Sequence, residues 1–320
     1  MKRLVIDIET VGTPWEEHDP YVREYLIQGK SEVEAEEEKR RGALSPFRGR
    51  IVAIGVINAG DGRSCALYEV PGQEELQTRR DGLRTFISGS EKQILEKFWE
   101  FLGKDDRFIS FNGRQFDGPF LMIRSAINGV VPKRDLVGYR YAFHPNCDLR
   151  EALNFWGSLN SRQVRFNLDL ACKSFGISSS KREGLDGRAV ETMYRAGKYE
   201  EIATYCLEDV RATSELYQKL AATILCWEPS FRDAEAREER AKRTRGDSTE
   251  EPVASLQSER SFLDSLAQSS AELTASLEKM ESRGGVVSEK KPASILEKLI
   301  RTESDNAEEL PLDPTSESKT

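Results

Sequence analysis

Two carboxylates near the start of the chain, Asp7 and Glu9, directly follow the short apolar run Leu4-Val5-Ile6. The apolar run predicts a buried strand, and side chains two residues apart on a strand project from the same face. Neighbouring carboxylates repel each other unless a cation compensates their charge. Hard divalent cations bind through oxygen ligands of this type. The pattern therefore predicts half of a metal site at the end of the first strand.

Two later motifs contain side chains suited to the same chemistry. In the segment from Asn112 to Asp117 (NGRQFD), the aspartate follows a predicted strand at the start of a helix, where active-site residues are frequent. Tyr205 and Asp209 are four residues apart in a predicted helix, so the phenol and the carboxylate lie on one face. Taken alone, Asp117 is more often a helix cap or a partner of the helix dipole. The order of the three motifs carries more weight than any one of them.

The elements that must position these residues indicate a mixed α/β domain. Apolar runs predict strands at residues 3–9, 51–57, 65–70 and 108–111, and the Gly60-Asp61-Gly62 turn predicts that the second and third form a hairpin. Helices are expected over 91–102 with Ser90 and Gln93 as a capping box, from about residue 115, and over 198–224. This succession predicts a mixed sheet flanked by helices.

The ordered set DxE, NxxxFD and YxxxD resembles the DEDD superfamily of 3′–5′ exonucleases, whose fold is ribonuclease H-like. Tyr205 four residues before Asp209 is similar to the DEDDy branch. The likeness extends to predicted PolB-like 3′–5′ exonucleases, the stand-alone form of the proofreading domain of family B DNA polymerases. Segments 118–121, 148–149 and 184–190 look similar as well, and the resemblance covers about residues 1–222.

The resemblance implies a 3′–5′ exonuclease that hydrolyses phosphodiester bonds, with single-stranded DNA as the expected substrate. The expected ligands of two divalent ions, Mg²⁺ or Mn²⁺, are Asp7, Glu9, Asp117 and Asp209. Tyr205 would orient the attacking water, since a tyrosine pKa near ~10 disfavours proton abstraction. Nucleic-acid contacts are expected from Thr10, Asn112, Arg114, Phe116 and Lys181.

Several alternatives stay open from sequence alone. In the DEDDh branch a histidine takes the tyrosine's role, but Pro145 after His144 breaks helical geometry and favours a structural residue. Asp148 is expected to be a helix cap, with Glu151 completing a capping box. An exoribonuclease of the same fold, or a non-catalytic module that binds nucleic acid or a scaffold partner, would carry the same elements. No residue reports recognition of the 2′-hydroxyl group.

Composition narrows the class of protein. The formal net charge of −8 is unlike that of a nucleic-acid coat protein, because non-specific affinity depends on Lys and Arg. Metal ions would supply positive charge to a phosphate instead. The five scattered cysteines contain no CxxC pair, which disfavours both a zinc motif and a disulfide framework and fits the cytosol. No apolar stretch is long enough to cross a bilayer, so we expect a cytoplasmic protein without a membrane partner.

The sequence also suggests two regions. Residues 1–225 are expected to form the ribonuclease H-like exonuclease domain, with a polar, partly helical insertion at 14–46. Residues 226–320 are rich in Glu, Arg, Lys and Ser, which predicts a mostly disordered tail. An amphipathic pattern over 253–283 favours either a transient helix or a docking helix for a protein partner.

Overall fold

A seven-stranded mixed sheet organises the part of the chain that the computed structural model describes, residues 1–159, 164–178 and 187–246. Its strands are β1 (Arg3–Gly12), β2 (Gly49–Asn58), β3 (Ser64–Glu69), β4 (Gln77–Asp81), β5 (Arg84–Gly89), β6 (Arg107–Ser110) and β7 (Asn146–Asp148). They are arranged in the order β4-β5-β3-β2-β1-β6-β7. β2 pairs antiparallel with both β1 and β3, whereas β6 is parallel to β1 and to β7.

Helices cover both faces of this sheet. They are α1 (Pro20–Ile27), α2 (Glu32–Arg40), α3 (Glu91–Phe101), α4 (Asp117–Ile127), α5 (Leu149–Leu153), α6 (Leu168–Ser174), α7 (Gly187–Arg195), α8 (Tyr199–Thr223) and α9 (Pro229–Gly246). α3 packs on β2, β3 and β5, and α8 packs on β1, β2 and β3. The expected fold class, a mixed α/β sheet flanked by helices, is confirmed. None of the described helices combines the length and the apolar character that a bilayer span requires.

β1 separates two apolar cores because its side chains alternate between the faces of the sheet. Leu4, Ile6 and Ile8 belong to the core that contains the buried residues of α3 and α4. Val5 belongs to the other core, beneath α8. Asp7 and Glu9 continue the row of Val5, so their carboxylates lie on the α8 side of the sheet.

The strongest local signals of the sequence correspond to observed structure. Ser90 and Gln93 form a reciprocal capping box at the start of α3, and α8 runs over almost the whole predicted range. β2 and β3 pair as an antiparallel hairpin, and Gly62 takes a positive φ of 73° in its turn. α4 begins at Asp117, two residues later than the start that the sequence suggests. The polar insertion contains α1 and α2, the latter with a capping box of Ser31 and Glu34.

The sequence did not predict the hairpin of β4 and β5 or the short strand β7. All five residues of β4 are exposed, and its sequence QTRRD lacks the apolar alternation by which strands are recognised. β4 is an edge strand, and polar, charged residues are typical there because they oppose pairing with other chains. β7 has three residues, too few to show any periodicity.

α9 continues the folded region beyond residue 225, where the sequence placed the end of the domain. Phe231 and Ala234 are buried, and Glu235 accepts hydrogen bonds of 2.6 Å from both Arg3 and Arg107. This helix is rich in charged residues, as a disordered tail would be. Here, however, ion pairs formed by those residues provide much of its attachment to the domain. The predicted helix at 253–283 lies outside the described residues.

Candidate active site

The carboxylates of β1 lie opposite small residues of β2. Asp7 pairs with Gly55 and Glu9 with Ala53, and the register of the two strands shifts directly after Glu9. Such a bulge bends a strand and changes the direction of the side chains that follow it. The floor of the site therefore consists of two adjacent acidic side chains above a row of small residues.

Gly55 allows helix α8 to approach this floor closely. A Cβ atom at this position would lie 2.7 Å from Val210 Cγ2 and 3.0 Å from Cys206 Sγ, closer than atoms of a packed core tolerate. The glycine thus positions the α8 segment that contains Tyr205 and Asp209. Gly55 was not among the predicted site residues, although a glycine inside an apolar strand is a known sign of close backbone approach.

Asp117 reaches β1 from the opposite side of the cleft. β1 and β6 are paired only as far as Val5 and Ile109, and beyond this point the Ile8 amide donates a hydrogen bond of 3.1 Å to Asp117 Oδ1. The acidic side chain, which is 2% exposed, is therefore fixed between the positions of Asp7 and Glu9 along the strand. Its loop is tight, because a Cβ on Gly113 would lie 2.0 Å from Ser110 Oγ.

The pKa values of these carboxylates show that the structure brings all four together. Burial is the main cause that raises the pKa of Asp7 and of Glu9 well above ordinary values. For both groups the negative charges of Asp117 and Asp209 raise the pKa further. Burial likewise raises the pKa of Asp117 to about 7, although a hydrogen bond from the Ile8 amide opposes this shift. Buried carboxylates that lie this close together are an environment that divalent metal ions stabilise.

One face of α8 completes the cleft with a phenol. Burial is the first cause that raises the pKa of Tyr205, followed by the charge of Asp209, and a hydrogen bond between the two side chains acts in the same direction. A hydrogen bond that raises the pKa of a phenol is one that the hydroxyl donates, so Tyr205 is a neutral donor at neutral pH. This state fits orientation of a water molecule better than proton abstraction.

Cys206 is a residue of this cleft that the sequence analysis overlooked. Its thiol and the carboxylates of Asp7 and Glu9 each offer an atom within 4.8 Å of the other two. Asp117 and Asp209 lie near enough to shift the pKa values but do not belong to this tight group. Two ions ~3.5–4 Å apart need ligands distributed over more than one such group, so this arrangement is compatible with a two-ion site.

Asp148 organises the loop that precedes Asp117. Its buried carboxylate accepts hydrogen bonds from the backbone amides of Asn112 at 2.8 Å and Arg114 at 3.1 Å. It also caps α5 by accepting from the Arg150 amide at 2.9 Å, which confirms the predicted cap. Glu151 does not complete the box, since it forms an ion pair of 2.8 Å with Arg114 instead. The sequence identified the cap but not the loop contacts, which join residues far apart in the chain.

The expected nucleic-acid contacts have different environments. The hydroxyl group of Thr10 is nearly buried and donates a hydrogen bond of 2.7 Å to Ala43 O, which attaches the insertion to β1. Asn112, at a positive φ of 71°, accepts a hydrogen bond of 2.9 Å from Arg150. The half-buried ring of Phe116 packs against Phe120 at 5.3 Å. Lys181 lies outside the described residues.

Arg114 has a structural environment, which differs from the expected phosphate contact. Its guanidinium group donates to the carbonyl oxygens of Val137, Ala142 and Asn146, and only 6% of the side chain is exposed. Binding a phosphate would require this network to break. Arg150 is the better candidate, because its guanidinium group is partly exposed and is held beside Asn112.

His144 lies in a different environment from the four carboxylates. Burial lowers the pKa of its imidazole, and the charges that contribute further come from Arg107, Arg134 and Arg237, with Glu235 opposing them. None of the four acidic residues of the cleft affects this pKa. The structural interpretation of His144 therefore fits its surroundings.

Comparison with known proteins identifies a related sequence family. The sequence family described as "Predicted 3'-5' exonuclease related to the exonuclease domain of PolB" matches residues 46–224. Asp117, Tyr205 and Asp209 lie inside the match, whereas Asp7 and Glu9 precede it. Among curated proteins, none matches the chain.

One similar solved structure is the family B DNA polymerase from the hyperthermophilic archaeon Pyrobaculum calidifontis, with 20% identity and a TM-score of 0.45. The similarity covers 73% of this chain and 26% of that polymerase, so the chain matches about a quarter of the polymerase's length. The family match spans more than half of the 320 residues. The chain therefore belongs to the family of predicted 3′–5′ exonucleases related to the exonuclease domain of PolB.

Proposed function

We propose that this protein is a metal-dependent 3′–5′ exonuclease of the DEDDy type that removes nucleotides from the 3′ ends of single-stranded DNA. The observation that carries the proposal is the convergence of four carboxylates at the point where β1, α4 and α8 meet, where Asp117 and Asp209 raise the pKa of both Asp7 and Glu9. Family membership supplies the reaction class. The ions, the branch and the substrate are the parts that we infer.

The donor set fits Mg²⁺ or Mn²⁺. The residues that would hold two such ions are Asp7, Glu9, Asp117 and Asp209, whose oxygen atoms are the ligands that hard cations prefer. When bound, the ions supply positive charge to the scissile phosphate and activate water. Neither Asp7 nor Glu9 has a positively charged side chain among the causes of its pKa shift, so a cation would relieve the repulsion that they experience.

Tyr205 has the proposed role of orienting the attacking water. Its hydroxyl group is directed to Asp209 by a hydrogen bond, and its raised pKa keeps the proton on the phenol. A neutral hydroxyl group in this position can donate to one partner and accept from another. Correct orientation of this kind lowers the entropy cost of reaching the transition state.

The polarity of the cleft rim supports nucleic acid as the substrate. Arg150 contacts Asn112 and lies 5.9 Å from the ring of Phe166, so a cation and an aromatic ring adjoin the loop that carries Asp117. Arginine and aromatic side chains together are typical of surfaces that bind single strands. We therefore propose Arg150 as a contact to the backbone of the strand, in the place expected for Arg114.

The remaining proposals concern the rest of the chain. Residues 1–225 constitute the proposed catalytic domain, which α9 extends, and the following tail is proposed to bind a protein partner. The cytosol is the proposed compartment, because all five cysteines are free thiols, as expected under reducing conditions.

The test uses the full chain with a single-stranded DNA oligonucleotide labelled at its 5′ end. We expect a ladder of products shortened from the 3′ end in Mg²⁺ or Mn²⁺, and none in chelator. Asp209→Asn should abolish the ladder, whereas Glu201→Gln, an exposed carboxylate on the same helix, should not. Full activity of Asp209→Asn would show that the site is assigned wrongly.

A matched RNA oligonucleotide separates the substrate from the reaction class. Faster shortening of RNA than of DNA would identify an exoribonuclease on the same four carboxylates. Strand binding without hydrolysis in any divalent ion would identify a non-catalytic binding module. The side-by-side comparison therefore tests the sugar preference and the activity in one experiment.

A further inference from the structure

We propose that Asp7, Glu9 and Cys206 form a site for a thiophilic divalent ion such as Zn²⁺, and that occupation of this site inhibits the enzyme. The existence of the site depends only on the three side chains. Its inhibitory effect rests on the proposed function, because Asp7 and Glu9 are also the proposed ligands of the catalytic ions. Cys206 is the residue that would distinguish the two classes of ion.

The three donor atoms are already close enough for a common ion. One oxygen of each carboxylate and Cys206 Sγ lie within 4.8 Å of one another. Bond lengths to zinc of ~2.3 Å for sulfur and ~2.0–2.2 Å for oxygen place neighbouring ligands about 3.5 Å apart in a tetrahedron. Small rotations of the two carboxylates would close the difference. Within the described part of the chain, no other three side chains of these types converge so closely.

The thiol is fixed in this position by the fold. Cys206 is fully buried on the face of α8 that packs on the sheet, and its thiol donates a weak hydrogen bond of 3.5 Å to the backbone oxygen of Asp7. The absence of a side chain at Gly55 provides the space that Sγ occupies against the sheet. A buried thiol with a weak partner, directed at two carboxylates, is a donor that the proposed hydrolysis does not use.

The chemistry of sulfur predicts which ions would use it. Thiolates are soft ligands that favour zinc and its neighbours, whereas magnesium and calcium favour carboxylate, carbonyl and water oxygens. Affinity at a given site also rises from manganese through cobalt to zinc. Cys206 would therefore add little to Mg²⁺ binding and much to Zn²⁺ binding. On binding, the S–H bond breaks, an ion–sulfur bond forms, and the proton is released to the solvent.

Sequence alone disfavoured a zinc site, because the five cysteines show no CxxC pair and only two histidines are present. Zinc motifs of that kind place their ligands close together in the chain. Here the fold combines a carboxylate pair of β1 with a thiol of α8, 197 positions after Glu9 (206 minus 9). The resulting donor set has no local sequence signature.

Cobalt spectroscopy tests the site without any measurement of activity. Titration of the metal-free full chain with Co²⁺ should produce a near-ultraviolet charge-transfer band from thiolate to cobalt. Cys206→Ser should abolish the band, and Asp7→Asn should weaken cobalt binding by roughly 10- to 100-fold. Cys172→Ser is the matched control, since that buried thiol donates to Ala212 O, away from the Asp7 and Glu9 carboxylates, and its loss should leave the band intact. Thermal unfolding of each variant reports whether the domain has folded.

Inhibition is measured separately. In the presence of Mg²⁺, the Zn²⁺ concentration that halves exonuclease activity should rise by roughly 10- to 100-fold in Cys206→Ser, and not in Cys172→Ser. A cobalt band that persists in Cys206→Ser, or no band in the unaltered protein, would overturn the proposal. A normal band in a protein without nuclease activity would uphold the site and refute the proposed function instead. If Cys206→Ser fails to fold, three results together decide the outcome: the thiolate band of the unaltered protein, its persistence in Cys172→Ser, and its shift to higher Co²⁺ concentration in Asp7→Asn.

Discussion

Two groups of buried charges lie along β1, and they differ in how the charge is compensated. Near the start of the strand, the fully buried Arg107 donates to Glu235 at 2.6 Å and to Tyr217 at 3.0 Å, and it lies over the ring of Phe231. Near the end of the strand, Asp7 and Glu9 face two further carboxylates. The first group is an ion pair network, whereas burial and neighbouring carboxylates are what shift the pKa of Asp7 and Glu9 in the second.

The contrast separates a structural role from a functional one. Opposite charges that pair in the interior attach one element to another, as α9 is attached to the sheet by Arg3, Arg107 and Glu235. Like charges in the interior destabilise the fold, and perturbed groups of this kind are concentrated at functional sites. The cluster of four carboxylates is therefore expected to lower the stability of the metal-free protein, and cation binding is expected to restore that stability.

Neutralising one carboxylate should have the largest effect. Asp7→Asn is expected to reduce kcat/KM by about 10³-fold or more, since a lost ligand removes several kcal/mol of transition-state stabilisation. The same change should raise the unfolding temperature of the metal-free protein at pH 8, because it removes a repelling charge. Initial rates on DNA and thermal unfolding in chelator measure the two effects. If Asp7→Asn lost both activity and stability, repulsion among the four carboxylates would not be what destabilises the metal-free protein.

The pH dependence of stability should also differ between the two groups. Burial raises the pKa of Asp117 from 3.8 to about 7, so between these values the folded metal-free protein binds a proton that the unfolded chain has released. Its contribution to the free energy of unfolding is therefore complete below pH 4 and is lost as the pH rises towards 7, at about 1.4 kcal/mol per pH unit at most.

Urea unfolding in chelator at a series of pH values measures this slope. Asp117→Asn should make it shallower, because the amide does not titrate. Glu201→Gln, which removes an exposed carboxylate paired with Lys198 on α8, is the control and should leave the slope unchanged. Equal slopes in all three proteins would show that Asp117 does not have a raised pKa.

The compensated group should respond in the opposite way. Glu235→Gln removes one partner of a buried arginine, which costs about 3 kcal/mol in typical cases. We expect the free energy of unfolding to fall by this amount, while kcat/KM of the folded protein stays near the original value. Urea unfolding and initial rates distinguish the two. A loss of activity without loss of stability would link α9 to the active site and remove the distinction drawn between the groups.

The residues of the carboxylate cluster were easier to predict from the sequence than those of the ion pair network. The carboxylates of the site could be predicted because three short motifs fix their order and because Asp7 and Glu9 alternate on a strand. Gly55, Cys206 and the loop contacts of Asp148 could not, since each acts through a partner on another element. The Arg107–Glu235 pair joins positions on β6 and α9, and no local pattern reports such a contact. Arg114 was predicted to contact the substrate, since nothing local in the sequence indicates that tertiary contacts bury its side chain.

Tyr205 and Tyr217 lie on the same helix, and each places one hydroxyl group in one of the two charged environments. Tyr205 donates a hydrogen bond to Asp209 in the cluster of carboxylates, and Tyr217 accepts one from Arg107 in the ion pair network. Burial raises the pKa of both phenols, but the adjacent arginine opposes the shift at Tyr217, where the pKa is about 12. The same substitution by phenylalanine removes one oxygen atom from each environment, so the pair of variants is matched in chemistry and in helix.

Tyr205→Phe should lower kcat by about 10²-fold, the usual size of a lost orienting or proton-transfer contact, with little change in stability. Tyr217→Phe should leave kcat unchanged and lower the free energy of unfolding by about 1–2 kcal/mol, because a buried guanidinium loses an acceptor. Single-turnover rates and urea unfolding provide both numbers for each variant. If Tyr205→Phe retained full kcat, the phenol would be a packing residue, and the four carboxylates alone would carry the reaction. If both variants lost only stability, position on α8 rather than the surrounding charge would determine what a tyrosine contributes.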